Sequence, residues 1–307
     1  MNKKIALWFS FAIIVVFMVF IIFDTTTREE KAVDRSIVVT PDNEPLAMWD
    51  IFSELDITYG KLKSVATTGE GIILGGDSFI SFYGYDLSIV WIAETGQPVY
   101  ALASDGEFIY GAVGETILVY DIKGNQVDEW GPFDENSIIT SISASNNYVA
   151  FADAGNKLVF VLDKMGALVS LVGQPGDQFV IPSPYFDIFV SDNDLLVTAN
   201  PGKRNVEFRN IKGDIQRTFG EAGSALEYFC GCCNPSHFSI MPGGNIVTAE
   251  KGINRIKIVD PDGALVELVS QPGNFVASVP VDLATGGDGL IFAANPADSR
   301  LYSFKRK

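Results

Sequence analysis

Asp163-Lys-Met-Gly166 is one of four short turn motifs in this sequence that share the pattern Asp/Asn-x-x-Gly; the others are Asp121-Ile-Lys-Gly124, Asn210-Ile-Lys-Gly213 and Asp260-Pro-Asp-Gly263. Their glycines lie 42, 47 and 50 residues apart. Thirteen residues before the last three glycines comes a polar residue that follows an alanine: Asp153, Asn200 and Glu250. Constant offsets around a regularly spaced turn indicate that the chain repeats one supersecondary unit.

Each repeat contains short β-rich runs between Gly, Asp and Asn turns, without long helical periodicity. A period of about 40–50 residues with four such runs is typical of the blade of a β-propeller. We therefore predict an all-β fold, a six-bladed β-propeller, with units at 62–97, 98–136, 137–184, 185–235, 236–280 and 281–307.

The last unit contains only three strand-like runs before the chain ends, at 281–285, 290–294 and 300–305. An open ring would leave an unpaired strand edge. We therefore expect an amino-terminal strand to complete this unit, with Ser36-Ile-Val-Val-Thr40 as the candidate, so that the propeller covers 36–307. The region 44–60 is less regular and is expected to form a strap or a short helix beneath the ring.

The linkers between the later units share Gly, Phe and Pro at similar places: Gly173–Pro182, Phe219–Pro235 and Gln271–Pro280. This pattern, followed by a strand, a glycine turn and a strand that ends in Ala-Asp or Ala-Asn, resembles the NHL-repeat family and its six-bladed relatives. The resemblance covers about residues 60–307 and is strongest from 165 to 300. It implies that the first strand of each blade lines a central channel, and that Asp187, His237 and Asp282 ring one mouth. Such a fold does not by itself define an activity.

The amino terminus carries Lys3 and Lys4, and then an apolar run at 5–23. At about 1.5 Å per residue this run spans a hydrocarbon layer of about 30 Å. The alternative is a cleaved signal peptide, but the run is longer than a usual signal core and lacks a small-residue cleavage site. The two lysines favour a cytoplasmic amino terminus. We expect a cytoplasmic end at 1–4, a transmembrane anchor at 5–23, a tether at 24–35 and a propeller outside the cytoplasm, in the periplasm if the host is Gram-negative.

The chain is acidic, because 22 Lys and Arg residues face 38 Asp and Glu residues, which gives a net charge of −16 over 307 residues. A nucleic-acid partner needs a basic surface, so this class is excluded. A hydrophobic fraction of 47% is enough to form a core. With one histidine, a Ser/His/Asp site or a His-rich metal centre would have to use that residue. The sequence also lacks a phosphate-binding glycine loop of the Gly-x-x-x-x-Gly-Lys-Ser/Thr type.

All three cysteines and the histidine fall within eight residues, Cys230-Gly-Cys232-Cys233-Asn-Pro-Ser-His237. The sequence leaves three states open for this Cys/His loop. An exported compartment favours a disulfide, and Cys230 with Cys233 would close a small ring, whereas adjacent Cys232 and Cys233 would be strained. Three sulfurs and one imidazole could instead bind zinc, Cu(I) or an iron–sulfur centre, although the spacing is short for the usual zinc pattern. Free thiols that exchange with a partner are the third state.

The segment Ala249-Glu-Lys-Gly-Ile-Asn-Arg255 belongs to the same unit as this loop. Together with Cys-Cys-Asn-Pro it resembles a subgroup of bacterial NHL-like proteins, a resemblance that implies no particular activity. Glu250, Lys251 and Arg255 have two interpretations: a solvated loop with an ion pair between blades, or an anion or partner contact beside the Cys/His loop.

We expect a membrane-tethered, extracytoplasmic binding or scaffold module whose Cys/His loop at the channel mouth contacts a protein or a small ligand. One alternative is a metal-binding or redox protein that uses the cysteine cluster with a soft or borderline metal. The other is a lactonase-like, metal-dependent hydrolase in which calcium would take oxygen ligands from Asp187, Asp282 and Asn234. The thiols and His237 do not suit calcium, and the sequence shows no catalytic motif, so it leans against an enzyme.

Overall fold

The computed structural model describes residues 47–307, together with the isolated positions Val15 and Met18. Residues 47–307 form six four-stranded antiparallel sheets arranged around a channel. These sheets are the blades of a six-bladed β-propeller, which confirms the predicted all-β fold.

The first strand in the chain, β1 (Trp49–Asp56), belongs to the last blade. From the inner to the outer strand, the blades are as follows. Blade 1 comprises β2 (Leu62–Thr67), β3 (Gly71–Gly76), β4 (Phe79–Gly84) and β5 (Ile89–Glu94). Blade 2 comprises β6 (Val99–Ser104), β7 (Phe108–Val113), β8 (Thr116–Asp121) and β9 (Gln126–Trp130). Blade 3 comprises β10 (Ile139–Ala144), β11 (Tyr148–Asp153), β12 (Leu158–Asp163) and β13 (Leu168–Val172). Blade 4 comprises β14 (Ile188–Val190), β15 (Leu195–Asn200), β16 (Asn205–Asn210) and β17 (Ile215–Phe219). Blade 5 comprises β18 (His237–Ile240), β19 (Ile246–Glu250), β20 (Arg255–Val259) and β21 (Leu265–Ser270). Blade 6 comprises β22 (Asp282–Thr285), β23 (Ile291–Asn295), β24 (Arg300–Arg306) and then β1.

The outer strand of blade 6 comes from the start of the described region. β1 pairs antiparallel with β24, from Trp49 opposite Arg306 to Asp56 opposite Arg300. The sequence predicts Ser36–Thr40 for this place, but Trp49–Asp56 occupies it, and Ser36–Thr40 lies outside the described residues. The expectation of a strap or helix in this region is therefore wrong for Trp49–Asp56.

The hydrophobic core is divided among the six interfaces between neighbouring blades. Each interface has one cluster of buried side chains drawn from both blades. Between blades 4 and 5, for example, Phe208 and Phe219 pack with Phe238 and Ile246. Burial of one such large side chain stabilises the fold by about 1.5–3 kcal/mol. The outer strands are the most exposed; in β17, for example, the first four residues are exposed and Phe219 alone is buried.

The glycine that ends each Asp/Asn-x-x-Gly motif lies against the preceding blade. Gly166 has a φ of +80°, a conformation that glycine adopts without steric cost. A Cβ at Gly166 would lie 2.8 Å from the ring of Trp130 in blade 2. Gly124 meets Trp91 in the same way, and Gly263 meets Phe219. The repeated glycine therefore allows both the turn and the close packing of adjacent blades.

A second repeated feature is the buried polar residue at the end of the second strand of a blade. Asp153 accepts a hydrogen bond from the Ile138 amide at 2.9 Å, and Asn200 accepts one from the Val180 amide at 3.0 Å. Glu250 accepts one from the Cys230 amide at 3.0 Å. Each of these residues therefore fastens the linker that enters its own blade, which explains the constant offset in the sequence.

The predicted cytoplasmic end, transmembrane anchor and tether at 1–4, 5–23 and 24–35 fall on residues that the structure does not describe, apart from Val15 and Met18. Within the described part of the chain, no helix has the length and apolar character needed to cross a membrane.

Candidate functional site

The inner strands surround a central channel with a volume of about 220 Å³, which residues of all six blades line. At the end where the inner strands begin, the channel opens into a wider cavity of about 550 Å³. We call this wider space the mouth cavity. It is lined by Lys63, Tyr100, Gly114, Ser137, Ile138, Ile139, Thr140, Pro184, Tyr185, His237, Val279, Pro280, Asp282 and Pro296. Most of these residues are apolar or aromatic, and the ionisable groups are few.

Asp187, His237 and Asp282 meet at the boundary between the mouth cavity and the channel. Each is at or next to the start of the inner strand of its blade. His237 Nδ1 lies 3.3 Å from Asp282 Oδ1 and 3.8 Å from Asp187 Oδ2. The structure thus brings together three residues that share one offset in the sequence, because each lies thirteen residues before the polar residue that ends the second strand of its blade, Asn200, Glu250 or Asn295.

The carboxylate of Asp187 connects three blades. It accepts hydrogen bonds from the Ser141 hydroxyl in blade 3, from the Ile188 amide at 2.9 Å, and from the Phe238 amide in blade 5 at 2.7 Å. Asp282 connects the first and last blades, because it accepts hydrogen bonds from the amides of Val65 and Leu283 at 2.8 and 2.9 Å. Both carboxyl groups therefore belong to the inner frame of the ring.

Burial changes the protonation of this group of three. It raises the pKa of Asp282 to about 8, with the nearby Asp187 carboxylate as a second cause. It also raises the pKa of Asp187 to about 6, although three hydrogen bonds act in the opposite direction. Burial lowers the pKa of His237 to about 4. At neutral pH the imidazole is therefore neutral, Asp282 is mostly protonated, and Asp187 carries the negative charge.

Two lysines that approach the mouth cavity are already engaged. Lys63 forms an ion pair with Asp77 at 3.0 Å and lies over the ring of Tyr100. Lys251 Nζ lies 4.6 Å from the centre of the Tyr185 ring, and Tyr185 also makes an edge-to-face contact with His237. Within the described residues, the basic side chain nearest to Asp187 and Asp282 is the neutral imidazole of His237, and no lysine or arginine forms an ion pair with either carboxyl group.

The Cys/His loop does not act as one cluster. All three cysteines are free, with Cys230 and Cys233 buried and Cys232 exposed. The Cys232 and Cys233 sulfurs are 3.2 Å apart. His237 faces the two carboxyl groups, since it begins β18 and points its Nδ1 toward Asp282. Among residues 47–307, no group of three or more His, Cys, Asp or Glu side chains is arranged to hold a metal ion.

A calcium site of the kind implied by lactonase-like relatives does not fit these residues. Calcium takes about six to eight oxygen ligands, whereas the amides and the Ser141 hydroxyl already use part of the acceptor capacity of Asp187 and Asp282. The Asn234 side chain donates to the carbonyls of Cys230 and Lys251, and it accepts a hydrogen bond from the Lys251 amide at 2.7 Å. Its amide oxygen is therefore committed to the loop.

Glu250 and Arg255 are fully buried, so the solvated-loop interpretation is wrong for them. Glu250 Oε1 accepts hydrogen bonds from Arg255 Nε at 2.9 Å and Nη2 at 2.8 Å, and Lys257 Nζ lies 3.1 Å away. Lys257 also donates to the carbonyls of Leu226 and Tyr228 at 2.8 and 2.7 Å. This cluster supports the long linker that leads to Cys230.

The sequence missed Tyr100, Tyr185, Lys63 and Ser141 as parts of the site. Tyr185 lies two residues before Asp187, in a linker that the resemblance treats as a connection only. Ser141 lies inside β10, where its small hydroxyl carries no signal of its own. These residues could have been found only by placing every inner strand in register around the channel.

Neither a family model nor a curated protein matches this sequence. Among solved structures, the WD40 β-propeller domain of Doa1 is similar, with a TM-score of 0.58 and 12% sequence identity over 84% of this chain and 97% of that chain. At this identity the likeness shows the propeller fold alone. Membership in the NHL-repeat family stays a prediction.

Proposed function

We propose that the chain is a membrane-tethered binding module, in which the mouth cavity accepts a small organic ligand that carries a protonated amine. The observation that carries this proposal is a pair of carboxyl groups where the mouth cavity of about 550 Å³ meets the channel: Asp282 lines both spaces, and Asp187 lines the channel beside it. A propeller is a rigid scaffold of the kind that supports binding sites on its loops and mouths.

The floor of the cavity favours a cation. Two carboxyl groups lie close to one neutral imidazole, and no lysine or arginine of the described residues neutralises them. An incoming ammonium group would favour the charged form of Asp282 and release its proton. Such a group could also donate to the free lone pairs of the two carboxylates.

The walls of the cavity favour an organic body on that cation. Ile138, Ile139, Val279 and Pro280 contribute apolar surface, and Tyr100 contributes an aromatic ring. A drug-sized ligand needs a pocket of about 300–1,000 Å³ with a few polar groups that fix its orientation. A bare metal ion would leave most of this surface unused.

The experiment is a thermal-shift and calorimetric comparison of organic amines with their neutral and anionic counterparts, such as benzylamine, benzyl alcohol and benzoate. Binding to the folded state stabilises it by about 2.7 kcal/mol when the free ligand is about 100 times its dissociation constant. We expect amines to raise the melting temperature of the wild-type chain and to lose this effect in Asp282→Asn.

The matched control is Asp288→Asn, because Asp288 is exposed in the hairpin that follows the same inner strand. This variant should keep the wild-type response. If amines and their anionic counterparts act alike, or if Asp282→Asn responds as the wild type does, the mouth cavity is not an amine site.

The tether is a separate part of the proposal, and it rests on the apolar run at 5–23. The full-length chain should remain in the membrane fraction after alkaline washing, and a chain without residues 5–23 should not. Protease added outside spheroplasts should reach the propeller. Digestion only after membrane lysis would contradict the proposed orientation.

A further inference from the structure

We propose that Cys232 and Cys233 are a thiol–disulfide exchange pair, in which exposed Cys232 reacts first with a low-molecular-weight or protein disulfide and buried Cys233 resolves the product. This activity is independent of amine binding in the mouth cavity. The two sulfurs lie 3.2 Å apart, which is close enough for one to attack a disulfide formed on the other.

The two thiols differ in access. Cys232 is exposed, whereas Cys233 is only 7% exposed. Burial raises the pKa of the Cys233 thiol, and the neighbouring Cys232 raises it further, so little of Cys233 is thiolate near neutral pH. A disulfide reagent in solution therefore meets Cys232 first.

The backbone on both sides of the pair is fixed. Arg204 Nε donates to the Gly231 carbonyl at 2.6 Å. Asn234 donates to the Lys251 carbonyl at 2.9 Å and accepts from the Lys251 amide at 2.7 Å. These bonds limit the movement of the two residues between them, so the approach of the sulfurs is a property of the folded loop.

Cys230 is excluded from the pair by its surroundings. Its side chain is as buried as that of Cys233, but among the described residues its sulfur contacts neither of the other two cysteine sulfurs, and its amide donates to Glu250 at 3.0 Å. Burial and the Glu250 carboxylate both raise the pKa of its thiol. Cys230 is therefore a core residue of blade 5.

The chemistry is a pair of thiolate exchanges. The Cys232 thiolate attacks one sulfur of a disulfide RSSR, which forms a Cys232–SR mixed disulfide and releases RS⁻. Cys233 then loses its proton to water, and its thiolate attacks Cys232 Sγ, which releases a second RS⁻. Two protein thiols are oxidised to one disulfide, and one RSSR is reduced to two thiols.

The product should be easily reduced. Consecutive Cα atoms are about 3.8 Å apart across a trans peptide, whereas a relaxed disulfide joins Cα atoms about 4.4–6.8 Å apart. A disulfide between adjacent residues is therefore strained, and strained, exposed disulfides are the labile ones. A labile disulfide of this kind is expected for thiol exchange with a partner, whereas a structural disulfide that stabilises the loop would be resistant to reduction.

The test incubates the full-length chain with oxidised glutathione, alkylates the remaining thiols after an acid quench, and measures mass. Trypsin releases all three cysteines in one peptide, Thr218–Lys251, and fragmentation of this peptide locates the disulfide without any variant. We expect a loss of two alkylation sites, no retained glutathione, and a bond between Cys232 and Cys233.

Three variants sharpen the result. Cys230→Ser should form the pair as the wild type does. Cys233→Ser should retain one glutathione on Cys232, and Cys232→Ser should react about tenfold more slowly because its remaining thiols are buried. A disulfide that includes Cys230, or a wild-type chain that keeps its glutathione, would overturn the proposal. If the urea-denatured chain formed the Cys232–Cys233 disulfide as readily as the folded chain does, the folded loop would have no role in the pairing.

Discussion

At the scale of single residues, Asp282 controls the most direct pH effect. Its pKa in the folded chain, about 8, lies above the ordinary value of 3.8. Between these values the folded state binds more protons than the unfolded state, so stability falls as pH rises. His237 acts in the opposite direction below about pH 6.5, because its pKa is lowered to about 4. Lys257, with its pKa lowered to about 8, adds stability only above that pH.

From about pH 6.5 to 7, above the pKa of Asp187 and about one unit below that of Lys257, Asp282 is therefore the main source of the pH dependence. We expect the unfolding free energy of the wild-type chain to decrease there by at most about 1.4 kcal/mol per pH unit. The measured slope should be smaller than this limit. The Asp282 side chain is 19% exposed, so solvent reduces the shift of its pKa. Asp282→Asn should be flat across this pH range in urea titrations. A wild-type chain that gains stability from pH 6.5 to 7 would contradict the assignment.

The Cys/His loop shows why spacing in the sequence predicts only some of the residues of the candidate site. Equal offsets in the repeats suggest that Asp187, His237 and Asp282 lie together, and the structure places His237 Nδ1 3.3 Å from Asp282 and 3.8 Å from Asp187. Closeness in the sequence, however, does not place Cys230 beside His237. The chain enters β18 at His237, and the strand directs this side chain to the channel while the preceding loop follows the rim.

At the scale of elements, the hairpin glycines are the parts of the repeat with the clearest energetic role. Gly166→Ala places a Cβ 2.8 Å from the buried Trp130 ring and also strains a φ of +80°. Gly289→Ala is the matched control, because its φ is +83° and no atom lies within 4 Å of the added Cβ. Both variants carry the backbone cost of about 1–2 kcal/mol, and Gly166→Ala adds about 1–3 kcal/mol of overpacking.

Urea denaturation of the two variants measures this difference. A larger loss for Gly166→Ala means that the repeated turn also joins neighbouring blades. Equal losses would mean that the glycine serves only the turn, and that Trp130 moves aside at no cost.

The repeats predict the blades well because the turns and the buried strands of a blade are encoded by one continuous stretch of sequence. The closing strand could not be predicted in the same way. Trp49–Asp56 carries no repeated turn, and its pairing with Arg300–Arg306 depends on contacts far apart in the sequence. Ser36–Thr40 has the stronger local β pattern, but local preference does not specify a distant partner.

At the scale of the whole molecule, Trp49 connects the closing strand to blade 5. Its side chain is 6% exposed and belongs to the cluster between blades 5 and 6, and its Nε1 donates to Glu267 at 2.8 Å. Trp49→Ala should lower the unfolding free energy by about 3–5 kcal/mol. The loss should appear in one cooperative transition, because each blade depends on both neighbours.

Phe52→Ala is the control for this prediction. Phe52 lies on the same strand but is 62% exposed, so its removal should change stability by no more than about 0.5 kcal/mol. Equal effects of the two substitutions, measured by urea titration, would show that β1 is not needed to close the ring.

The pairing of β1 with β24 also sets an order of events during biosynthesis. Lys307 donates to the carbonyls of Met48 and Ala47, so the last residue of the chain lies beside the first described ones. Because a ribosome makes β1 before any blade and β24 after every other described strand, β1 has no partner until β24 has been synthesised. A chain that is stalled or clipped near its carboxyl end therefore keeps two open strand edges, and such edges recruit other chains.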